Sequence, residues 1–144
     1  MISVITAVFN SEKTLLETLQ SVYLQKDVSI EHIIIDGNSK DQSKTIIESF
    51  INTHQDKHIQ YVYHSEKDQG MYDAINKGLK LATGDIIGIL NSDDTYKDNN
   101  VLKMIEESFH QHQIDAVYGN VDVINEKKDI IRKIRTGRFQ LGDY

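Results

Sequence analysis

Four short aliphatic runs, Ile2–Phe9, Ile30–Ile35, Ile59–Tyr63 and Ile86–Leu90, recur along the chain, and the stretch between each run and the next is long enough to hold a helix. Runs of this length, rich in branched residues and bounded by Asn, Asp, Ser and Gly, read as strands. Strands joined by helix-length crossovers pair in parallel, because a short turn cannot return the chain to the same end of the sheet. The alternation therefore predicts an α/β fold with a mainly parallel sheet. Helix faces fill the crossovers. Leu15, Leu16, Leu19, Val22 and Tyr23 share one face, with Ser11 as the expected cap. A second helix from about Asp41 turns Ile46, Ile47, Phe50 and Ile51 inward. The third, Met71 to Leu81, carries Met71, Ala74, Ile75, Gly78, Leu79 and Ala82 on a face small enough to lie close to the sheet, and Gly84 is expected to end it in the left-handed conformation. Asp98 is the expected cap of a fourth, with Val101, Leu102, Ile105 and Phe109 inward. Ala116 to Tyr118 reads as a short buried strand, and Val121–Ile124 with Ile130–Ile134 as a C-terminal β-hairpin.

The stretch Gly84 to Tyr96, GDIIGILNSDDTY, concentrates the chemistry. Ile86 to Leu90 reads as a strand buried on both faces. Asp93 and Asp94 then fall at its C-terminal end, the edge where open α/β sheets bind ligands. Adjacent carboxylates offer hard oxygen ligands to Mg²⁺ or Mn²⁺, which in turn accept phosphate. Taken alone, the pair equally fits a solvated turn cap. Its company favours a site. The other loops at this edge carry Asn10-Ser11, Asp36-Gly37 and Asp68-Gln69-Gly70, Asp36 can accept hydrogen bonds from a base or ribose, and Phe9 can stack on a base.

Composition excludes several classes. With 144 residues, 39% apolar and 26% charged, the chain reads as one globular domain with one ordinary core. No apolar run approaches the roughly 20 residues of a membrane span. The start, MISVITAVFN, has no basic n-region and reads as a strand, so the expected location is cytoplasmic. The absence of Cys removes disulfides, zinc-thiolate sites and Cys nucleophiles, and the net charge of −6 argues against nucleic-acid binding. All three Arg residues, Arg132, Arg135 and Arg138, cluster with Lys127, Lys128 and Lys133 near the C-terminus. This basic stretch reads first as a solvated hairpin and second as a contact for an acceptor phosphate or the inner face of an anionic membrane. His54, His58, His64, His110 and His112 read as surface residues.

ISVITAVFN, IIIDGNSKD and DQGMYDAINKGLKLATGDIIGILNSDD, in this order, resemble the nucleotide-binding half of inverting, GT-A fold, metal-dependent glycosyltransferases of family 2. The likeness covers roughly the first 120 residues and is nearest to bacterial members that build cell-surface polysaccharides. It implies a Rossmann-like sheet of GT-A type and a nucleotide-diphosphate sugar donor, with UDP the expected nucleotide. The acceptor it implies is a saccharide or lipid-linked. Carried over residue by residue, Ala7 to Phe9 line the base pocket, Asp36 bonds the base, and Asp93 is the last Asp of the Asp-x-Asp motif that holds the divalent cation. Asp94 is a second-shell or sugar-binding carboxylate, and Asp68, Gly70 and Ser92 belong to the nucleotide-sugar site. Asn91 replaces the first Asp of that motif and brings one charge fewer. An Arg common near the start of the third helix is missing, and Lys77 is its electrostatic candidate, though a point charge does not replace a bidentate fork.

The implied reaction is a single in-line displacement at the anomeric carbon, with the cation and the N-terminal NH groups of the helix at Gly70-Met71 stabilising the departing diphosphate. Inverting transfer also needs a general base, which in relatives lies well downstream of the metal motif, here past residue 144. Asp122 and Asp143 are the late carboxylates available as substitutes, and neither is assigned the role. The expectation is accordingly a donor-binding half. The alternative is a catalytically silent nucleotide-sugar-binding module or partner subunit. A nucleotidyltransferase would need a Gly-rich basic loop where Phe9-Asn10-Ser11-Glu12-Lys13 stands, and an aspartyl-phosphate phosphatase would need carboxylates directly after the first strand.

Overall fold

A computed structural model describes residues 1–111 and 114–136. His112, Arg138 and Asp143 lie outside them. The elements run β1 (Ile2–Val8), α1 (Leu15–Tyr23), β2 (Ile30–Asp36), α2 (Ser43–Thr53), β3 (Ile59–Ser65), α3 (Met71–Leu81), β4 (Ile86–Ile89), α4 (Val101–Gln111), β5 (Val121–Ile124) and β6 (Ile130–Ile134). They fall into two compact units, Met1–Glu107 and Ser108–Tyr144. Among the described residues no helix is long and apolar enough to cross a membrane.

The first unit holds a four-stranded sheet in the order β3-β2-β1-β4 with every pairing parallel. Register brings Val8, Asp36 and Ser65 level at one edge. Helices cover both faces. Val8 and Ile34 pack with Leu15, Leu19, Ile47 and Phe50 on one side, and Ile5, Ile33 and Ile35 pack with Ala74 on the other. The small face of α3 does what its composition predicts, since a Cβ on Gly78 would lie 2.5 Å from Ile5 Cγ2.

Leu16, Met71 and Leu79, expected on inward helix faces, are exposed, and the sequence reading is corrected at four further places. The strand buried on every position is β2, whereas β4 is an edge of the described sheet, with Ile87 46% and Ile89 54% exposed. An unbroken aliphatic run marks low polarity, and it does not say how many neighbours the strand has. Gly84 does not take a left-handed conformation, and α3 ends through an extended Ala82. Gly84 is needed for space, because a Cβ there would meet Met1 O and Ser3 N at 2.8 Å. Ser11 does not cap α1 with its hydroxyl, which instead faces Ser92. Ala116 to Tyr118 forms no strand and is exposed.

In the second unit β5 and β6 form the antiparallel hairpin, with all five residues of β6 exposed. Asp122 is paired there with Arg135 at 2.7 Å.

Opposite the ligand edge, a buried carboxylate ties the α3–β4 connection to the sheet. Glu31, 4% exposed, accepts from Ser3 Oγ, from Thr83 N at 2.8 Å and from Thr83 Oγ1 at 2.7 Å, while Gly84 N donates to Ser3 Oγ at 2.8 Å. Burial opposes its charge, but these hydrogen bonds outweigh it and hold the carboxyl below the usual range. Glu31→Ala strands these donors and should cost about 3 kcal/mol in urea unfolding at pH 7. Because the folded-state pKa is depressed, that stabilisation is present above the unfolded carboxyl's pKa and is lost as pH falls through the folded one. A variant no more acid-resistant in slope than the parent, or an unchanged unfolding midpoint at pH 7, would contradict the assignment.

Candidate functional site

The loops leaving β1, β2, β3 and β4 at their C-terminal ends enclose a cleft of about 860 Å³. Two zipped turns build its floor. After β1, Asn10 takes a positive φ of 50°, its N–H donates to Ser39 Oγ at 2.9 Å, and its side-chain oxygen accepts from Lys40 N at 2.8 Å. Ser11 N donates to Ser43 Oγ at 2.9 Å, and Glu12 N donates to Asp41 at 3.0 Å while Glu12 accepts from Gln42 N at 2.9 Å. Each turn thus satisfies the other's backbone, which holds an irregular edge without a regular ladder.

The loop after β4 is fastened to α1. Ser11 and Ser92 hydroxyls share a hydrogen bond of 2.8 Å, Thr14 Oγ1 donates to Ser92 O at 2.9 Å, and Thr18 Oγ1 donates to Asp94 O at 2.8 Å. Asp93, in the same loop, lines the cleft. Asp94 is outside the lining, and its carboxyl is pushed up by desolvation and then by the charge of Asp93, partly offset by the Asn91 side chain.

Of the residues singled out from sequence, Ala7, Phe9, Asp68, Gly70, Asn91, Ser92 and Asp93 line the cleft together. Asp36 and Asp94 do not. Asp36 is 0% exposed, and its carboxylate accepts from Ser39 N at 3.2 Å and from Ser65 Oγ at 2.6 Å. It builds the turn, and a base cannot reach it. Lys77 is not a lining residue either. Its ammonium pairs with Glu66 at 3.1 Å and Asp73 at 3.2 Å, on the flank of α3. The cations in the lining are Lys13 and Lys67. Lys13 follows the Asn10–Ser11 turn within one helical step, a position visible in sequence once that turn is placed at the edge.

The histidines also differ from expectation. His54 stacks on Phe50 at 3.9 Å between ring centroids, and His58 bonds Asp56 at 2.9 Å and Tyr23 O at 3.1 Å, so both are half-buried structural groups. His64 and His110 are exposed. His32, not singled out from sequence, is fully buried in β2.

Among the described residues no group of three or more His, Asp or Glu is arranged to hold a metal ion. Of the two acidic residues in the β4 loop, Asp93 lines the cleft and Asp94 does not. One carboxylate suits an ion that arrives with its own phosphate ligands, the usual state of Mg²⁺ in nucleotide sites, better than a resident all-protein cage.

The sequence matches the pattern described as Glycosyl transferase family 2 over residues 3–143. It is 32% identical over 120 residues to glycosyltransferase GlyG of Streptococcus pneumoniae, an alignment covering 83% of this chain and 38% of that protein. It is 32% identical over 135 residues to the poly-beta-1,6-N-acetyl-D-glucosamine synthase of Staphylococcus epidermidis, covering 94% of this chain and 32% of the synthase. The fold superposes on S. aureus TarS 1-349 in complex with UDP-GlcNAc with a TM-score of 0.67 and 27% identity, covering 78% of this chain and 32% of that one. The chain therefore spans well under half the length of these relatives.

Proposed function

The chain belongs to glycosyl transferase family 2, and from this membership we propose that the cleft at its sheet edge binds the nucleotide-diphosphate sugar donor of a glycosyl transfer. The observation that carries the proposal is the set of seven residues, Ala7 at the end of β1 and Phe9, Asp68, Gly70, Asn91, Ser92 and Asp93 in the loops, around one cleft with Lys13 and Lys67. Phe9, 62% exposed, supplies a flat apolar surface for the base. Lys13 presents positive charge to the diphosphate. Asp93 would hold a divalent cation, Mn²⁺ or Mg²⁺, shared with the phosphates, and when bound such an ion supplies Lewis-acid stabilisation of the leaving group. Asn91 and Ser92 shape the loop that aims Asp93. The complex of a similar fold with UDP-GlcNAc supports UDP as the donor nucleotide. The acceptor we propose is a saccharide or lipid-linked saccharide of the cell surface, in keeping with the polysaccharide synthase among the relatives. The proposed working location is the cytoplasmic side of the membrane.

Calorimetric titration with UDP in Mn²⁺ and in EDTA tests the reading. Binding in Mn²⁺ that is lost in EDTA is the expected result. Folded protein that takes up UDP in neither solution would overturn it.

A further inference from the structure

The sheet order fixes a direction along the cleft. Strand β3 lies at one side and β4 at the other, with β2 and β1 between them. Three strand spacings of about 4.8 Å separate the loop of Lys67 and Asp68 from the loop of Asn91 to Asp93. A donor whose diphosphate is drawn to Asp93 places its base toward the β2–β3 side. The carboxylate expected to meet the base there, Asp36, is sealed beneath the turn by Ser39 and Ser65.

Another carboxylate stands at the surface of that turn. Asp68 packs over Gly37, and a Cβ added to Gly37 would lie 2.5 Å from Asp68 Oδ2 and 3.0 Å from its Cγ. The missing side chain of Gly37 is what lets the carboxylate settle there. Asp68 Oδ1 accepts from Gly70 N at 2.9 Å, which fixes the group's rotation, and among the described residues no donor is bonded to Oδ2. The other acids near this turn are spent. Asp41 accepts from Ser43 N and Glu12 N, and Glu12 accepts from Gln42 N.

Resting on the donor-site reading above, we propose that Asp68, seated on Gly37, is the specificity-determining group for the base and selects nucleotides whose ring presents an N–H beside a carbonyl. Uracil and guanine share that feature. Cytosine and adenine present a ring nitrogen lone pair at the equivalent position, which a fixed carboxylate oxygen repels, and discrimination by an unpaired polar edge is strong.

The test is titration of the 144-residue chain with UDP, GDP, CDP and ADP in Mn²⁺, beside Asp68→Asn and Gly37→Ala. The parent should bind UDP or GDP roughly tenfold or more tightly than CDP and ADP, as one charge-assisted hydrogen bond allows. Asp68→Asn is isosteric and should collapse that preference by weakening only the favoured nucleotide. Gly37→Ala should do the same by displacing the carboxylate, with circular dichroism unchanged in both. A preference that survives Asp68→Asn, or a parent that binds all four alike, would overturn the base-selection inference while leaving the donor site intact. A folded parent that binds none of them would overturn the donor-site reading as well.

Discussion

Acidification should cost the fold about 3 kcal/mol through His32 alone by pH 4. His32 sits in the fully buried strand β2, with Nε2 at 3.0 Å from Thr6 Oγ1, no hydrogen-bond partner for Nδ1 among the described residues, and the Tyr61 ring 6.1 Å away. Burial disfavours the charged ring and pushes its pKa down to about 3. The unfolded chain protonates this group near pH 6.5, so between those values the unfolded state binds more protons than the native one. Stability from this source is whole above the unfolded pKa and falls steadily as pH drops from about 6.5 toward 3. Carboxylates of the unfolded chain also take up protons in this window, so the quantity measured is a difference. Urea unfolding of the parent and of His32→Gln at pH 7, 5.5 and 4 should show a variant that is weaker at neutral pH and loses about 3 kcal/mol less on acidification. Parallel pH dependences would refute a neutral, buried imidazole.

The second large effect separates two adjacent carboxylates. Asp93 lines the cleft and Asp94 does not. Asp93→Ala should weaken UDP binding in Mn²⁺ by about 100-fold or more, since even outer-sphere losses around a metal cost up to that much. The residual binding should be the same in Mn²⁺ and EDTA. Asp94→Asn keeps the hydrogen-bonding shape and removes the charge that competes with Asp93, so binding should stay within a few fold of the parent. Equal losses in the two variants would make the pair a joint ligand set. No loss in Asp93→Ala would move the cation elsewhere.

Much of the architecture was legible because strand and helix periods differ. Runs such as Ile30–Ile35 and faces such as Leu15, Leu19 and Val22 announce their own elements, and helix-length crossovers imply parallel pairing. The convergence of four polar loops on one edge follows from that topology, which is why seven expected residues meet around one cleft. The direction of each side chain at the edge was not legible. Asp36 and Gly37 are neighbours in one turn, yet Ser39 and Ser65 draw the first inward while the second is left as bare backbone beneath Asp68. The sequence pointed to Lys77 as the cation, and Lys67 was not singled out. Glu66 and Asp73 hold the first on the helix flank, and the second is a lining residue.

The order of strands and helices, the exposed hairpin and the polar edge were determined by the sequence itself, since hydrophobic periodicity and connection length are local quantities. Which carboxylate faces a ligand, which glycine makes room for it, that β4 is an edge and that His32 is neutral were decided only in the tertiary structure. Each depends on partners brought from distant parts of the chain, Ser65 to Asp36, Asp68 to Gly37, Thr6 to His32, and burial and hydrogen bonding between such partners have no signature in the spacing of either residue alone.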